Sequence, residues 1–281
     1  MKNTMLLFGT AGIPRSTPKG DTISGLARIK ELGLEVMELE FVHGVNLSPE
    51  LAQRIRTEKE RLGLHLTVHA PYFINLNSPE RPKYEASIKR IVDSARIGFI
   101  AGAESVTFHA GFYLGQEAPI VYDNIKEAFH KIIDKLNTEQ INIRLSPELT
   151  GKASQFGSLE ELISLAHELP GIGLCLDISH LHSRTGGKFN SLAEFNSIWK
   201  NIQKRLGKDA LNSMHIHISG IKYSAKGERE HLNLNDSDLN YRDFIKSLHE
   251  YKVGGFVICE SPSLEGDALL LKKCYYKSSE E

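Results

Sequence analysis

Residues 104–110 read ESVTFHA, and this short stretch carries the pattern on which the fold prediction rests. Val106 and Phe108 alternate with Ser105, Thr107 and His109. Successive side chains of a β-strand point to opposite faces, so the first two residues form an apolar face and the other three a polar face. The stretch therefore predicts a strand that packs against helices on one side and faces a polar interior on the other.

Short apolar runs of this kind recur along the chain and alternate with amphipathic helical patterns. The eight predicted strands are residues 5–9, 35–41, 64–70, 104–110, 141–148, 172–179, 211–219 and 254–261. Predicted helices include residues 22–33, 49–63, 83–102, 124–137, 158–169 and 241–251. Ser158 followed by Glu161 predicts a capping box, and Ser48 before Pro49 predicts a helix start.

Eight strand–helix units in 281 residues correspond to about 35 residues per unit, which is the size of a βα repeat. No linker or shift in composition divides the chain, so a single domain over residues 1–281 is expected. The prediction is a (β/α)8 TIM barrel of the α/β class. The alternative is an open doubly wound sheet, which usually carries a Gly-rich phosphate turn after its first strand. The stretch GTAGIPRS at 9–16 matches such a turn poorly.

Composition excludes several classes of protein. The chain has 34 Lys+Arg against 35 Asp+Glu, so it is not a generally basic protein that coats nucleic acid or membrane. Three cysteines without paired spacing indicate a reducing compartment. No apolar run is long enough for a signal peptide or a membrane span, so the cytoplasm is the expected location. The unusual total is 12 histidines.

Histidines and carboxylates gather where the predicted strands end. In a barrel, the last inward-facing residue of each strand lies at the C-terminal mouth, where barrel enzymes carry out their chemistry. These residues are His69, His109, Glu148, Asp177, His180 just beyond it, His217 and Glu260, and His231 follows in the seventh loop. One such histidine would usually be structural, but seven residues at equivalent positions favour a metal site. Mixed His and carboxylate ligands suit Zn, Mn or Fe, and their number suggests a cluster of two or three ions.

Other polar residues receive structural interpretations. His215 has the parity of His217 but lies two residues deeper, so it is expected to support the site. Glu38, Glu40 and Arg144 also face inward and are predicted to form a buried ion-paired layer. The remaining histidines are expected to take no part; they are His43, His65, His130, His167, His182 and His249.

Seven motifs together resemble the endonuclease IV family of the xylose-isomerase-like barrels. They are VHAPYFINL (68–76), FHAGFY (108–113), PELTGK (147–152), LCLDISHLHS (174–183), MHIHISG (214–220), EREHL (228–232) and CESP (259–262). They occur in the family's order and cover nearly the whole chain. The first and fourth are quite specific, whereas the others are shared with sugar isomerases of the same superfamily.

The resemblance implies three zinc ions and cleavage of double-stranded DNA 5′ to an abasic site. It assigns His69 and His109 to the first metal and makes Glu148 a bridge to the second. It assigns Asp177, His217 and Glu260 to the second metal, and His180 and His231 to the third. It also implies that Glu260 orients the nucleophile, so that Glu148 and Glu260 are the catalytic residues, and that Tyr72 and Phe73 enter the duplex. Neither a membrane nor an obligate protein partner is implied.

Two departures from the family leave alternatives open. The family's third metal takes a carboxylate two residues before the histidine of the seventh loop, where this chain has Arg229. Either Glu228 or Glu230 replaces it, or the third metal is weak or absent. In MHIHISG, matching the Met-His pair selects His215 as the ligand, whereas position nearest the mouth selects His217. We favour His217 on geometry.

The expected function is a zinc-dependent phosphodiesterase acting on abasic DNA. A basic rim would suit phosphate contacts; its residues are Arg15, Lys19, Arg81, Lys83, Lys152, Arg184, Lys188, Lys222, Lys226 and Arg229. One alternative is a sugar isomerase or epimerase in which Glu148, Asp177, His217 and Glu260 hold a single ion. Another is a protein that binds DNA lesions without cleaving them.

Overall fold

A computed structural model describes residues 5–277. Its strands are β1 (Leu6–Ala11), β2 (Val36–Glu40), β3 (His65–His69), β4 (Ser105–Phe108), β5 (Gly111–Phe112), β6 (Arg144–Pro147), β7 (Gln155–Phe156), β8 (Cys175–Asp177), β9 (Met214–Ile218), β10 (Gly220–Ser224), β11 (Gly227–Leu232) and β12 (Gly255–Cys259). Eight of them form one parallel sheet in the order β6-β4-β3-β2-β1-β12-β9-β8. Parallel bridges Leu145–Ile172 and Glu148–Cys175 join its two edges. The sheet therefore closes into the predicted barrel, and the fold prediction is confirmed.

Helices follow the strands and cover the outside of the barrel. They are α1 (Thr22–Glu31), α2 (Pro49–Leu62), α3 (Arg81–Ala101), α4 (Ala118–Thr138), α5 (Leu159–Glu168), α6 (Ile178–Arg184), α7 (Leu192–Leu206), α8 (Tyr241–Glu250) and α9 (Glu265–Lys277). The capping box at Ser158 and Glu161 is confirmed, as is the Ser48 N-cap before Pro49. No helix within residues 5–277 has the length and apolar character needed to cross a bilayer.

Two apolar layers lie on opposite sides of the sheet. On the outside, strand residues pack against helices, as Phe108 does against Phe129 of α4 with ring centroids 5.7 Å apart. A smaller cluster of Leu7, Val36, Phe256 and Ile258 lies inside, near the starts of three strands. Hydrophobic residues thus close the bottom of the barrel, and polar residues are left to fill the interior above them.

The structure differs from the sequence prediction after the sixth and seventh barrel strands. β8 ends at Asp177, whose side chain accepts a hydrogen bond of 2.6 Å from the backbone N–H of His180 and starts helix α6. His182 lies beyond the predicted strand 172–179 and outside the predicted helices, and it is buried in this helix. After β9 the chain forms the antiparallel ribbon β10–β11 before helix α8, so His231 lies on a strand. Neither helix α6 nor the β10–β11 ribbon was predicted from local sequence patterns, because each packs against other segments at the barrel mouth.

The predicted ion-paired layer is wrong in its pairing. Arg144 begins β6, and its guanidinium donates to the carbonyl of Ser213 at the lower end of the barrel. Glu38 instead lies 2.9 Å from the Nε2 atoms of both His215 and His217. Strand parity correctly placed Glu38 and Arg144 on the inner face of the barrel. Parity alone does not give the depth of a side chain along the barrel axis, so it could not show which side chains are in contact.

Candidate metal centre

Glu148 lies at the centre of the site, just after β6, and is fully buried. Its Oε2 atom is 3.2 Å from His69 Nε2, and its Oε1 atom is 3.3 Å from His109 Nε2 and 3.2 Å from His180 Nδ1. Burial opposes ionisation, but the surrounding histidines hold the pKa of Glu148 well below its usual range. The carboxylate is therefore an anion shared among neighbouring groups, as a bridging metal ligand must be.

Three sets of side chains around Glu148 have the arrangement of metal ligands. Within each set, the ligand atoms lie within 4.8 Å of one another. The sets are His69, His109 and Glu148; Glu148, Asp177 and His217; and His180, Glu228 and His231. A tetrahedral site with bonds of about 2.05 Å has ligand atoms about 3.3 Å apart. The His69–Glu148, His109–Glu148 and His180–Glu228 separations are 3.2, 3.3 and 3.4 Å.

The histidine rings are oriented by groups outside the centre. Nδ1 of His69 lies 2.7 Å from the carbonyl of Ala70, and Nδ1 of His180 lies 2.9 Å from that of Leu149. Since a carbonyl only accepts hydrogen bonds, Nδ1–H donates in both rings, so that Nε2 faces the site and carries the lone pair when the ring is neutral. This is the form in which histidine binds a metal.

Two buried polar atoms at the centre form no hydrogen bond. They are Oδ2 of Asp177 and Nδ1 of His217, on the neighbouring strands β8 and β9. Each has an ionic contact instead, Asp177 Oδ2 with His180 Nδ1 at 3.3 Å and His217 Nδ1 with Glu260 Oε1 at 3.2 Å. Buried polar atoms without a hydrogen bond are costly and rare, so a group that satisfies both is expected here. A cation meets this need, because a carboxylate oxygen and a ring nitrogen lone pair are both metal donors. The residues therefore fit a zinc-type metal.

The pKa values of Asp177 and Glu260 are shifted in opposite directions. Burial, with Glu260 and Glu148 nearby, raises the pKa of Asp177 to about 6. Burial acts in the same direction on Glu260, but the adjacent His217 outweighs it and lowers the pKa of Glu260 to about 2. Glu260 Oε1 lies 3.2 Å from His217 Nδ1. Glu260 is thus an anion at the edge of the metal centre, next to Nδ1 of His217.

The third set contains Glu228, not Arg229 or Glu230. In the β10–β11 ribbon, Lys222 pairs with Glu230 and Tyr223 pairs with Glu228, so Arg229 is the extra residue of a β-bulge. Residues three apart on a regular strand face opposite sides, but the bulge brings Glu228 to the side of His231. Glu228 Oε2 lies 3.4 Å from His180 Nε2, whereas exposed Glu230 forms an ion pair of 2.7 Å with Lys222.

His217, and not His215, faces the centre. His217 Nδ1 lies near Glu148 and Glu260, at 3.7 and 3.2 Å. His215 is deeper in the barrel, where its Nδ1 forms a hydrogen bond of 3.1 Å with the Ser105 hydroxyl. His215, which the match to the Met-His pair selected as the ligand, therefore lies below the centre.

Aromatic side chains are exposed beside the centre. Tyr72 and Phe73 are 56% and 66% exposed, and the Tyr72 ring lies edge-on to His69 with centroids 5.5 Å apart. Phe112 and Leu114, which follow His109 in the fourth loop, are also exposed. This second pair was not predicted from the sequence, although its place shortly after the predicted ligand His109 was an available signal.

Part of the predicted basic rim has structural partners. Arg184 is wrongly placed in the rim, since its guanidinium donates to the carbonyls of Thr150, Lys152 and Gln155 and holds that loop. Lys83 and Lys222 pair with glutamates. Lys83 and Lys222 are exposed all the same, and six further cations of the rim are exposed: Arg15, Lys19, Arg81, Lys188, Lys226 and Arg229.

The chain belongs to the xylose isomerase-like TIM barrel family, whose model matches residues 26–274. An uncharacterised protein of Methanocaldococcus jannaschii is 42% identical over 274 residues, which cover 98% of both chains. A probable endonuclease 4 of Mycoplasma genitalium is 27% identical over 203 residues, 70% of this chain and 67% of that protein.

Solved structures of two kinds share the fold. Endonuclease IV from Thermus thermophilus has a TM-score of 0.75 at 18% identity, covering 96% of this chain and 99% of the other. A D-tagatose 3-epimerase-like protein has a TM-score of 0.73 at 20% identity, covering 96% and 97%. At such identities the likeness is one of fold, so the function must be argued from the site.

Proposed function

We propose that this protein is a zinc-dependent phosphodiesterase that cleaves DNA at abasic sites. The observation that carries the proposal is the presence of three ligand sets connected through Glu148 and His180. A barrel that holds one ion needs only Glu148, Asp177, His217 and Glu260. The further histidines and Glu228 have no place in that smaller site, and they are arranged as ligands.

The ligand sets divide the centre into three positions. His69 and His109 with Glu148 would hold one zinc ion, and Glu148, Asp177, His217 and Glu260 a second. His180, Glu228 and His231 would hold the third. When bound, zinc supplies positive charge that polarises a phosphoryl group and makes a water molecule more acidic.

Two carboxylates have distinct roles in this proposal. Glu148 is buried among histidines and contacts them with both of its oxygens, which fixes the spacing of the first two positions. Glu260 has a side chain 13% exposed and a pKa lowered to about 2, so it stays ionised and can accept a hydrogen bond from the attacking water. Attack on phosphorus breaks the bond to the 3′ oxygen of the preceding nucleotide, and that oxygen takes up a proton.

The mouth has features that suit a damaged duplex. The exposed rings of Tyr72 and Phe73 offer stacking surfaces next to the centre, and the predicted rim contributes exposed lysines and arginines. Extruding a nucleotide costs least where the base is missing. An abasic site could thus reach the buried carboxylates, whereas an intact nucleotide would lose its stacking and pairing energy.

A cleavage assay tests the proposal. Zinc-loaded protein is incubated with a duplex that carries one abasic site, with the undamaged duplex and a chelator-treated sample as controls. We expect a single cut 5′ to the lesion, ending in a 3′-hydroxyl, that disappears with chelator. An intact abasic duplex under zinc-replete conditions would refute the proposal, and binding without cleavage would identify a lesion-binding protein instead.

The second candidate is a sugar epimerase, favoured by one specific observation. Glu148, Asp177 and His217 lie within ligand distance of one another and Glu260 adjoins His217, so the four residues offer two glutamates, one aspartate and one histidine to a single ion. Such an enzyme would bind one exchangeable Mn²⁺ or Co²⁺ and exchange a carbon-bound proton of a ketose. Metal counting separates the candidates: two or three tightly bound zinc ions favour the phosphodiesterase, and one exchangeable ion favours the epimerase.

A further inference from the structure

A layer of buried polar side chains lies directly beneath the metal centre. Glu38, Thr67, Ser105 and His215 belong to it, and each is at most 1% exposed. They come from strands β2, β3, β4 and β9 and fill the barrel interior between the apolar bottom and the candidate ligands. Glu38 with His217 and Glu260, and His215 with Cys175 and His217, are also spaced as metal ligands could be. The three positions of the proposed function need neither Glu38 nor His215, so that function assigns the layer no role.

Glu38 connects this layer to the centre through one ligand. Its Oε1 atom lies 2.9 Å from Nε2 of His217, and its Oε2 atom lies 2.9 Å from Nε2 of His215. The hydroxyl of Thr67 donates to Oε2 at 2.7 Å. The carboxylate is therefore held from three sides by groups that can donate hydrogen.

The contact determines which nitrogen of His217 is available to a metal. A lone pair on Nε2, 2.9 Å from a carboxylate oxygen, would be repelled, whereas an N–H at that position donates to it. When the ring is a metal ligand it has one N–H and one lone pair, so the proton is favoured on Nε2, beside Glu38. Nδ1 then presents its lone pair to the centre, where its separation of 3.2 Å from Glu260 Oε1 is that of two ligands on one zinc ion.

The neighbouring contacts agree with this assignment. His215 likewise faces Glu38 with Nε2, and its Nδ1 lies 3.1 Å from the Ser105 hydroxyl, which can donate to it. The Ser105 oxygen can in turn accept from Ser146, 2.8 Å away. The Nε2 atoms of His215 and His217 lie 3.2 Å apart, and in the Nε2–H form of both rings the two N–H groups stand side by side, each donating to a different oxygen of the Glu38 carboxylate.

We infer that Glu38 is a positioning residue that keeps the proton of His217 on Nε2 and thereby presents Nδ1 to the middle metal. Other rings of the centre, such as those of His69 and His180, are oriented by backbone carbonyls. His217 is oriented by a side chain, so its tautomer can be changed by mutation. The inference rests on the metal centre of the proposed function but not on its substrate.

The first test measures the tautomer of His217 in the unaltered, zinc-loaded protein. Long-range ¹⁵N–¹H correlation spectra of histidine-labelled protein distinguish Nε2–H from Nδ1–H rings, and loss of one signal set in His217→Gln assigns the residue. We expect an Nε2–H ring at His217. An Nδ1–H ring there would overturn the inference whatever the enzyme does to DNA.

The second test compares Glu38→Gln with Glu40→Gln in zinc competition titrations. Glu40 lies two residues along β2 with the same inward parity and has no ion pair or hydrogen bond to His217 among residues 5–277. An amide places a donor in the layer and favours the wrong tautomer, so Glu38→Gln should weaken one zinc site about 10- to 100-fold. Equal losses in both variants would mean that the effect is not specific to the contact between Glu38 and His217, and would overturn the inference.

The two proposals fail separately. Zinc binding and the expected tautomer without cleavage of abasic DNA would leave the inference standing and refute the phosphodiesterase. Cleavage of abasic DNA together with an Nδ1–H ring at His217 would support the phosphodiesterase and overturn the inference about Glu38. If Glu38→Gln does not fold, the tautomer of the unaltered protein still decides.

Discussion

The replacement Glu228→Ala tests whether the bulged ribbon completes the third metal position. Glu228 is 3.4 Å from His180 Nε2 and has a side chain 19% exposed, so its loss opens the site to water without leaving a cavity in the core. Glu230→Ala is the matched control. It removes the same charge from the same strand, but from the opposite side, where Glu230 pairs with Lys222.

The expected magnitude follows from these positions. Loss of a partner outside the ligand shell typically costs 10- to 100-fold in metal affinity, so loss of a direct carboxylate ligand should reach at least the upper end. A 100-fold loss corresponds to about 2.7 kcal/mol in binding free energy. The Glu230–Lys222 pair is exposed, and such pairs contribute about 0–1 kcal/mol to folding and nothing to a distant metal.

The assay is a zinc titration against a competing chelator, followed by cleavage of an abasic duplex at limiting zinc. Glu228→Ala should lose its weakest zinc ion and most of its cleavage, whereas Glu230→Ala should behave as the unaltered protein. Equal zinc stoichiometry and affinity in both variants would show that Glu228 is not a ligand and that our interpretation of the bulge is incorrect.

Three further predictions address the ribbon, the centre and the mouth. Deleting Arg229 removes the bulge residue and leaves Glu228 on the side of His231, so the zinc stoichiometry should stay the same. Deleting Arg229 and Glu230 together turns Glu228 to the opposite side and should abolish one zinc site. Elemental analysis of both variants measures the stoichiometry. In metal-free protein, burial lowers the pKa of His69, but Glu148 outweighs it and raises this pKa to about 10, against about 6.5 when unfolded. The stabilising contribution of His69 is complete below about pH 6.5 and is lost as the pH rises through about 10, by up to about 1.4 kcal/mol per pH unit. Urea unfolding should show this loss in chelated protein but less in zinc-loaded protein, and a flat profile in both would contradict it. Phe73→Ala should weaken binding of abasic duplex by about 1–3 kcal/mol with unchanged zinc content, and unchanged binding in a fluorescence anisotropy titration would argue against stacking.

Much of the fold was predictable because it depends on local patterns. The alternation in ESVTFHA and its counterparts identified strands, and parity alone placed His69, His109 and Asp177 on the inner face. Strand ends were less predictable. β8 stops at Asp177 because that side chain accepts a hydrogen bond from the backbone N–H of His180 and so caps helix α6.

Three features were predictable from the residues alone, since all three follow from the two-residue period of strands. They are the barrel, its polar interior and the end of the barrel at which histidines and carboxylates gather. The folded chain was needed to tell which glutamate accompanies His231 and which ring nitrogen of His217 faces the centre. Both depend on register and depth, which are set by contacts between distant segments. A one-residue bulge reverses the facing of a strand, and Glu38 of β2 meets His217 of β9 only once the barrel has closed.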